Sequence, residues 1–193
     1  MKMGKFEKRF VNSSGHSLKV AEHAEKLLRL TPFVAGQKYL DFGCGNGAAA
    51  LRLASSCGLE VTGIDVDAEQ IRATEAMRNG DRNARFLAVD GTNLPLGDGE
   101  FDLVGTSMVT HHIPNWLEAL EQMVRVLKPG GYFIYTDLAF PRWLAWAGSH
   151  LISNMGFPTV AAVDRFIGAK GLSPLHFSRK SFRTEGVWRK ALP

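Results

Sequence analysis

The chain has 193 residues, 45% hydrophobic and 22% charged, which suits one soluble domain with a sizeable core. Its net charge of +4 permits an anionic substrate or surface without requiring one. Two cysteines outside any CxxC spacing exclude a disulfide framework and a zinc cluster, and no run of 18 apolar residues offers a transmembrane helix.

Residues 1–14 read as a loose, charged start. Met1 to Arg9 is basic but has no apolar h-region, so no signal peptide is expected, and Cys44 and Cys57 fit reduced thiols in a cytoplasmic protein. Gly15 to Leu30 is helical by pattern: Leu18, Ala21, Leu27 and Leu28 share a side, with Lys19, Glu22, Glu25 and Arg29 elsewhere. Thr31-Pro32 stops it. Lys38 to Phe42 is a short buried strand that runs into Gly43-Cys44-Gly45-Asn46-Gly47, and Ala48 to Ala54 opens a helix ending at Gly58. The glycines allow a sharp turn and close approach by a ligand, and the helix N-terminus presents unpaired N–H groups.

Leu59 to Ile64 is the second strand, ending at Asp65. Asp67 is a plausible N-cap for a helix over Ala68 to Arg78, stopped by Asn79-Gly80-Asp81. Ala84 to Val89 is the third strand, ending at Asp90, and Phe101 to Gly105 the fourth. Pro114 suits the first turn of a helix reaching Leu127, and Lys128-Pro129-Gly130-Gly131 turns the chain into a fifth strand, Tyr132 to Thr136. This alternation predicts an α/β fold: a Rossmann-like, doubly wound sheet with helices on both faces, in a single domain. Residues 138–158 break the rhythm with helically spaced Leu144, Ala147, Leu151, Ile152 and Met155 and a further apolar set in Trp143, Trp146 and Phe157. Thr159 to Lys170 is a closing helix, and Leu172–Phe182 and Gly186–Arg189 are two final strands.

Gly43-x-Gly45-x-x-Ala48 fits a dinucleotide fingerprint, which alone is weak. Asp41, two residues before the first glycine, would repel a pyrophosphate and favour a cationic ligand such as S-adenosylmethionine. Asp65 lies 22 residues after Gly43, the spacing at which a carboxylate meets a ribose diol. Asp41, Asp65, Asp90, Thr106 or Ser107, and Asp137 all fall at carboxyl ends of strands, where open α/β sheets bind ligands.

Five stretches carry a resemblance: Leu40 to Gly47, Val61 to Asp65, Val89 to Leu96, Phe101 to Val104, and Arg125 to Gly131. Over residues 38–137 the chain resembles the class I S-adenosylmethionine-dependent methyltransferases, of the small type that includes the ubiquinone and menaquinone biosynthesis enzymes. The resemblance implies a mostly parallel seven-stranded sheet with an antiparallel last strand. It implies S-adenosylmethionine as cofactor, S-adenosylhomocysteine as product, and no resident metal. Asp41, Gly43, Cys44 and Gly45 would line its methionine part, Asp65 its ribose, Val66 its adenine. Asp90 would accept from the adenine amino group, with Gly91 offering its backbone N–H, and the backbone at Thr106 or Ser107 would meet the ammonium. Gly91 stands where the family often has alanine. Lys128 to Gly131 is structural there.

The implied reaction is in-line transfer of a methyl group to a small acceptor, apolar or aromatic, at oxygen or carbon. His111, His112, Asp137 and His16 are candidate bases, and His112 is the one chosen. The chain divides into an N-terminal cap (1–37), which brings Phe6, Phe10 and His16 to one side, a cofactor core (38–137), a substrate lid (138–158) and a closing helix and strand pair (159–193). The lid's tryptophans leave peripheral membrane contact open. The basic C-terminal part reads as a solvated face, with no nucleic-acid motif. Two other functions stay open on these residues: a nicotinamide-dependent oxidoreductase and a non-catalytic cofactor-binding module.

Overall fold

The computed structural model describes residues 14–78 and 83–192. Phe6, Phe10 and the Asn79-Gly80-Asp81 stop lie outside the described residues, as does the side chain of His16. The chain orders as α1 (Ser14–Leu28), β1 (Lys38–Phe42), α2 (Ala48–Cys57), β2 (Glu60–Asp65), α3 (Ala68–Met77), β3 (Ala84–Ala88) and β4 (Phe101–Ser107). A short 3-10 turn, Thr110–His112, precedes α4 (Trp116–Val126), β5 (Leu127–Leu138), α5 (Arg142–Leu151), α6 (Val160–Ala169), β6 (Leu172–Lys180) and β7 (Arg183–Lys190).

The seven strands form one sheet in the order β3-β2-β1-β4-β5-β7-β6. β1 to β5 pair in parallel, and β7 runs antiparallel to both of its neighbours. The central strand is apolar on both sides because helices cover both faces. Tyr39 packs with Leu27, Leu28, Ala50, Leu53 and Ile71 of α1, α2 and α3. Leu40 and Phe42 point the other way, into Leu120, Met123 and Phe166 of α4 and α6. Asp41 therefore shares the α1/α2 side with Tyr39.

Helix ends follow local chemistry. Asp67 accepts from the Glu69 N–H at 3.0 Å and Thr159 from the Ala162 N–H at 3.1 Å, as N-caps do. Lys190 Nζ donates to the carbonyls of Val124 and Leu127 at 2.7 and 2.6 Å, closing the end of α4.

One expectation needs correction. Lys128-Pro129-Gly130-Gly131 is not a turn before β5 but lies within it. Phe101 pairs with Leu127 while Leu103 pairs with Tyr132, so these residues loop out as a bulge. Gly131 is required because a Cβ there would stand 2.7 Å from the Asp102 carbonyl.

β1 is followed through α2 by β2 on one side and lies against β4 on the other. The sheet order therefore switches direction at the carboxyl ends of β1 and β4, and a cleft opens there.

Candidate active site

The cleft has a volume of about 600 Å³. Its walls are the glycine turn after β1, Asp65-Val66 after β2, Asp90-Gly91 after β3, and the loop from Ser107 to Asn115 after β4. α1 closes a further side with Ser17 and Val20, and Asn46 Nδ2 donates to Ser17 Oγ at 2.6 Å, tying that helix to the glycine turn.

Gly43, Gly45 and Gly47 have φ of 75°, 51° and 71°, a conformation that glycine adopts without strain. At Gly43 a Cβ would also overlap the Val109 side chain. Four of the five N–H groups of this turn are already engaged. Gly43 and Cys44 both donate to the Ile64 carbonyl at 2.8 Å, Gly47 donates to the Cys44 carbonyl at 2.8 Å, and Gly45 donates to Asp65 Oδ2 at 3.0 Å. The turn therefore offers no ring of open donors to a pyrophosphate, unlike a phosphate-binding loop.

Asp65 is held from two sides. Besides Gly45, it accepts the Asp67 N–H on Oδ1 at 2.9 Å, and each oxygen keeps further acceptor capacity toward the cleft. Val66 is exposed beside it. Asp90 accepts both the N–H and the hydroxyl of Thr92 on Oδ1 at 2.9 Å, and those bonds hold its carboxyl below the usual range.

Gly91 has a direct physical explanation. The Phe42 ring fills the space that a Cβ on residue 91 would need. Gly91→Ala is expected to destabilise the fold by about 1–3 kcal/mol through overpacking, and Phe42→Leu in the same chain to recover part of that. Thermal unfolding of the single and double variants checks both.

Asp41 lies behind the turn. It borders a small cavity of about 40 Å³ together with His23, Tyr39, Thr106 and Thr136. Gly43, Cys44, Ala49, Val20 and Ser107 border both this cavity and the main cleft. Asp41 Oδ2 is buried and has no hydrogen-bond partner among the described residues. Burial, with the Asp65 charge adding to it, pushes its carboxyl up to about 7. Burial also raises the Cys44 thiol, so this is an inert packing sulfur. Thr106 turns its hydroxyl to the Phe42 carbonyl at 3.0 Å and borders only the small cavity.

The wall after β4 is built around Asp137 at the end of β5. This fully buried carboxylate accepts the N–H of Val109 and Thr110 and the Thr110 hydroxyl on Oδ2, and the Leu138 N–H and His111 Nδ1 on Oδ1. Tyr135 OH completes the group by meeting Thr110 Oγ1 at 2.9 Å. A carboxylate among donors accepts, so the shared proton sits on His111 Nδ1 and Nε2 is left as the ring's acceptor. Both histidines border the cleft, their rings 4.0 Å apart, and His111 is held on Asp137. Met108, at the head of this loop, has a φ of 59°, a strained conformation for a side-chain-bearing residue, and its N–H is fixed to the Thr136 carbonyl at 2.8 Å. Neither the strain at Met108 nor the reach from residue 137 to 111 leaves a local signal in the sequence.

Residues 138–158 do not border the cleft. They back its wall: the Gly156 N–H donates to the His111 carbonyl at 3.0 Å, and a Cβ on Gly156 would strike the carbonyls of Ile113 and Thr110.

Residues 40–135 match the family model described as a methyltransferase domain. A 27-O-demethylrifamycin SV methyltransferase from Amycolatopsis mediterranei is 33% identical, covering 86% of this chain and 65% of its own. A 2-methyl-6-phytyl-1,4-hydroquinone methyltransferase from Synechocystis is 33% identical over 68% of this chain and 44% of its own. The chain thus spans less than two thirds of either relative's length. Among solved structures, the cyclase SpnF shares the fold with a TM-score of 0.78 at 19% identity, covering 90% of this chain and 82% of that one.

Proposed function

Because this chain belongs to the class I S-adenosylmethionine-dependent methyltransferases, we propose that it transfers a methyl group to the hydroxyl of a small, apolar or aromatic acceptor. A like fold in a cyclase means that fold alone cannot carry this reading. What carries it is the polarity of the turn: four of its five N–H groups are taken, and a buried carboxylate with one oxygen unpaired stands behind them. That arrangement suits a cation and opposes a pyrophosphate, which also counts against a nicotinamide dinucleotide.

When bound, S-adenosylmethionine supplies a methyl group on a sulfonium that needs no activation. The chain's own work is then to hold and align. Asp41 and the backbone at Ser107 face the ammonium, the glycine turn takes the methionine part, and Asp65 takes the ribose hydroxyls. Val66 covers the adenine, while Asp90 and the Gly91 N–H meet its edge. Positioning of this kind contributes several kcal/mol to a reaction that needs in-line alignment.

His111 is the base in this reading, in place of His112. Asp137 holds its ring, and Nε2 takes the proton that the acceptor hydroxyl loses as its oxygen gains the methyl group. The two relatives support the acceptor class by analogy, one acting at an O-demethyl position and the other on a phytyl hydroquinone. The test is transfer of labelled methyl from S-adenosylmethionine to a panel of phenols and hydroquinones. His111→Ala is expected to lower kcat by roughly 10²–10⁴-fold with cofactor affinity kept. A larger loss in His112→Ala would reverse the assignment.

The raised carboxyl of Asp41 gives a pH dependence with a definite sign. With its value near 7, the ligand-free protein holds a proton there below neutrality and loses it above. A cationic ligand favours the ionised form, so binding of S-adenosylmethionine should release a proton and tighten from about pH 6 to about pH 8. Calorimetry in buffers of different ionisation enthalpy measures the release. Asp41→Asn should remove both effects, and equal affinity across that range in the unsubstituted protein would take Asp41 out of contact with the ammonium.

A further inference from the structure

Helix α5 turns an apolar stripe outward. Trp143 and Trp146 are 71% and 68% exposed, Leu151 is 82% exposed, and the Trp146 ring lies 4.8 Å from the ring of His150 on the same side. The helix packs inward at Gly148, its one buried residue. Gly148 sits under the Phe157 ring, where a Cβ would overlap it, and Phe157 meets Phe140 at 5.2 Å. Phe140 donates its N–H to the Pro158 carbonyl at 2.7 Å. The tryptophans are thus held outward by packing on the other side.

The charge around this helix is one-sided. Residues 138–184 contain six lysines and arginines and a single acid, Asp164, so the whole net positive charge of the chain lies in this stretch. Its densest part meets the segment that leads into α5. The turn between β6 and β7 carries exposed Arg179, Lys180, Phe182 and Arg183, and the Phe182 carbonyl accepts the Ala139 N–H at 2.7 Å. Arg183 pairs with Leu138, which puts this turn at the carboxyl end of β5, the same end of the sheet as the cleft.

We propose that this face docks on the surface of an anionic lipid bilayer, with Trp143 and Trp146 at the headgroup boundary and Arg179, Lys180 and Arg183 against lipid phosphates. Aromatic rings with one polar edge settle at that boundary, and a ten-residue helix needs a second, electrostatic attraction to stay there. The absence of acids from residues 138–163 favours a phosphate-bearing surface over a protein partner of mixed charge. Docking stands without the methyltransferase reading.

The test uses the full chain with vesicles of phosphatidylcholine alone and of phosphatidylcholine mixed with phosphatidylglycerol. Co-flotation reads binding. Tryptophan emission reads insertion, because Trp116 and Trp188 are buried and a blue shift reports the other two. Binding is expected to the mixed vesicles and to fall with added salt. It should weaken at least about tenfold in W143A/W146A, and separately in R179E/K180E, with circular dichroism unchanged since all four side chains are exposed. No flotation with the mixed vesicles would overturn the proposal. So would binding unaltered in both variants, or sedimentation in which the chain self-associates through this face and W143A/W146A dissolves the association.

Discussion

Asp65→Ala is expected to weaken binding of S-adenosylhomocysteine by roughly a hundredfold or more while the chain remains folded. The expectation rests on two roles of one carboxylate. In the proposed complex it accepts from both ribose hydroxyls, and hydrogen bonds to a charged group are worth about 1.5–3 kcal/mol each. In the protein alone it already accepts the N–H of Gly45 and of Asp67, so it sets the shape of the glycine turn before any ligand arrives. Alanine removes both. The side chain is only half-buried, so water can reach the two N–H groups it leaves, and stability should change far less than affinity. Asp65→Asn separates the roles: its amide oxygen can keep one N–H bond, and its charge is gone. Calorimetric titration of both variants, with thermal unfolding alongside, checks the prediction. Unchanged affinity in a folded Asp65→Ala protein would remove Asp65 from the site.

Asp137→Ala should act mainly on stability, by about 3–5 kcal/mol. Five donors converge on this carboxylate, which is wholly buried, and little water can replace it. Breaking such a network by removing one partner strands the others in an apolar interior. Met108 adds to the effect, since its left-handed conformation persists only while the loop around it is over-determined. The midpoint of urea unfolding measures the loss, and a shift equivalent to less than about 1 kcal/mol would mean that the loop is held by something else. Asp137→Asn keeps the shape and answers the catalytic question separately. It should lower kcat by freeing the His111 tautomer while KM for the cofactor stays.

The core of this fold is legible in the sequence for a simple reason: parallel strands covered on both faces are short apolar runs, and each ends at a polar residue where the sheet ends. Lys38 to Phe42 has the expected bounds, and Asp67 and Thr159 cap their helices. Lys128 to Gly131 misleads because Pro-Gly-Gly has the chemistry of a turn, whereas the neighbouring β4 decides the register and absorbs the four residues as a bulge. The candidate site divides the same way. Asp41, Asp65 and Asp90 announce themselves by position at strand ends. The pairing of His111 with Asp137 spans 26 residues and depends on how the loop after β4 folds back over β5, which no local spacing encodes. The periodicity of residues 142–151 foretells a helix, but it says nothing of which side the tryptophans take, because Gly148 and Phe157 decide that through tertiary packing.

The central claim is that the turn after β1 holds an adenosyl amino acid, through its ammonium and ribose, and not a dinucleotide. Titration of S-adenosylhomocysteine and of NAD into the purified protein, side by side, tests it most directly. The geometry predicts micromolar or tighter binding of S-adenosylhomocysteine and no heat from NAD. Binding of NAD without S-adenosylhomocysteine would contradict it, and would mean that the Asp65 carboxylate gives up the Gly45 N–H to a phosphate.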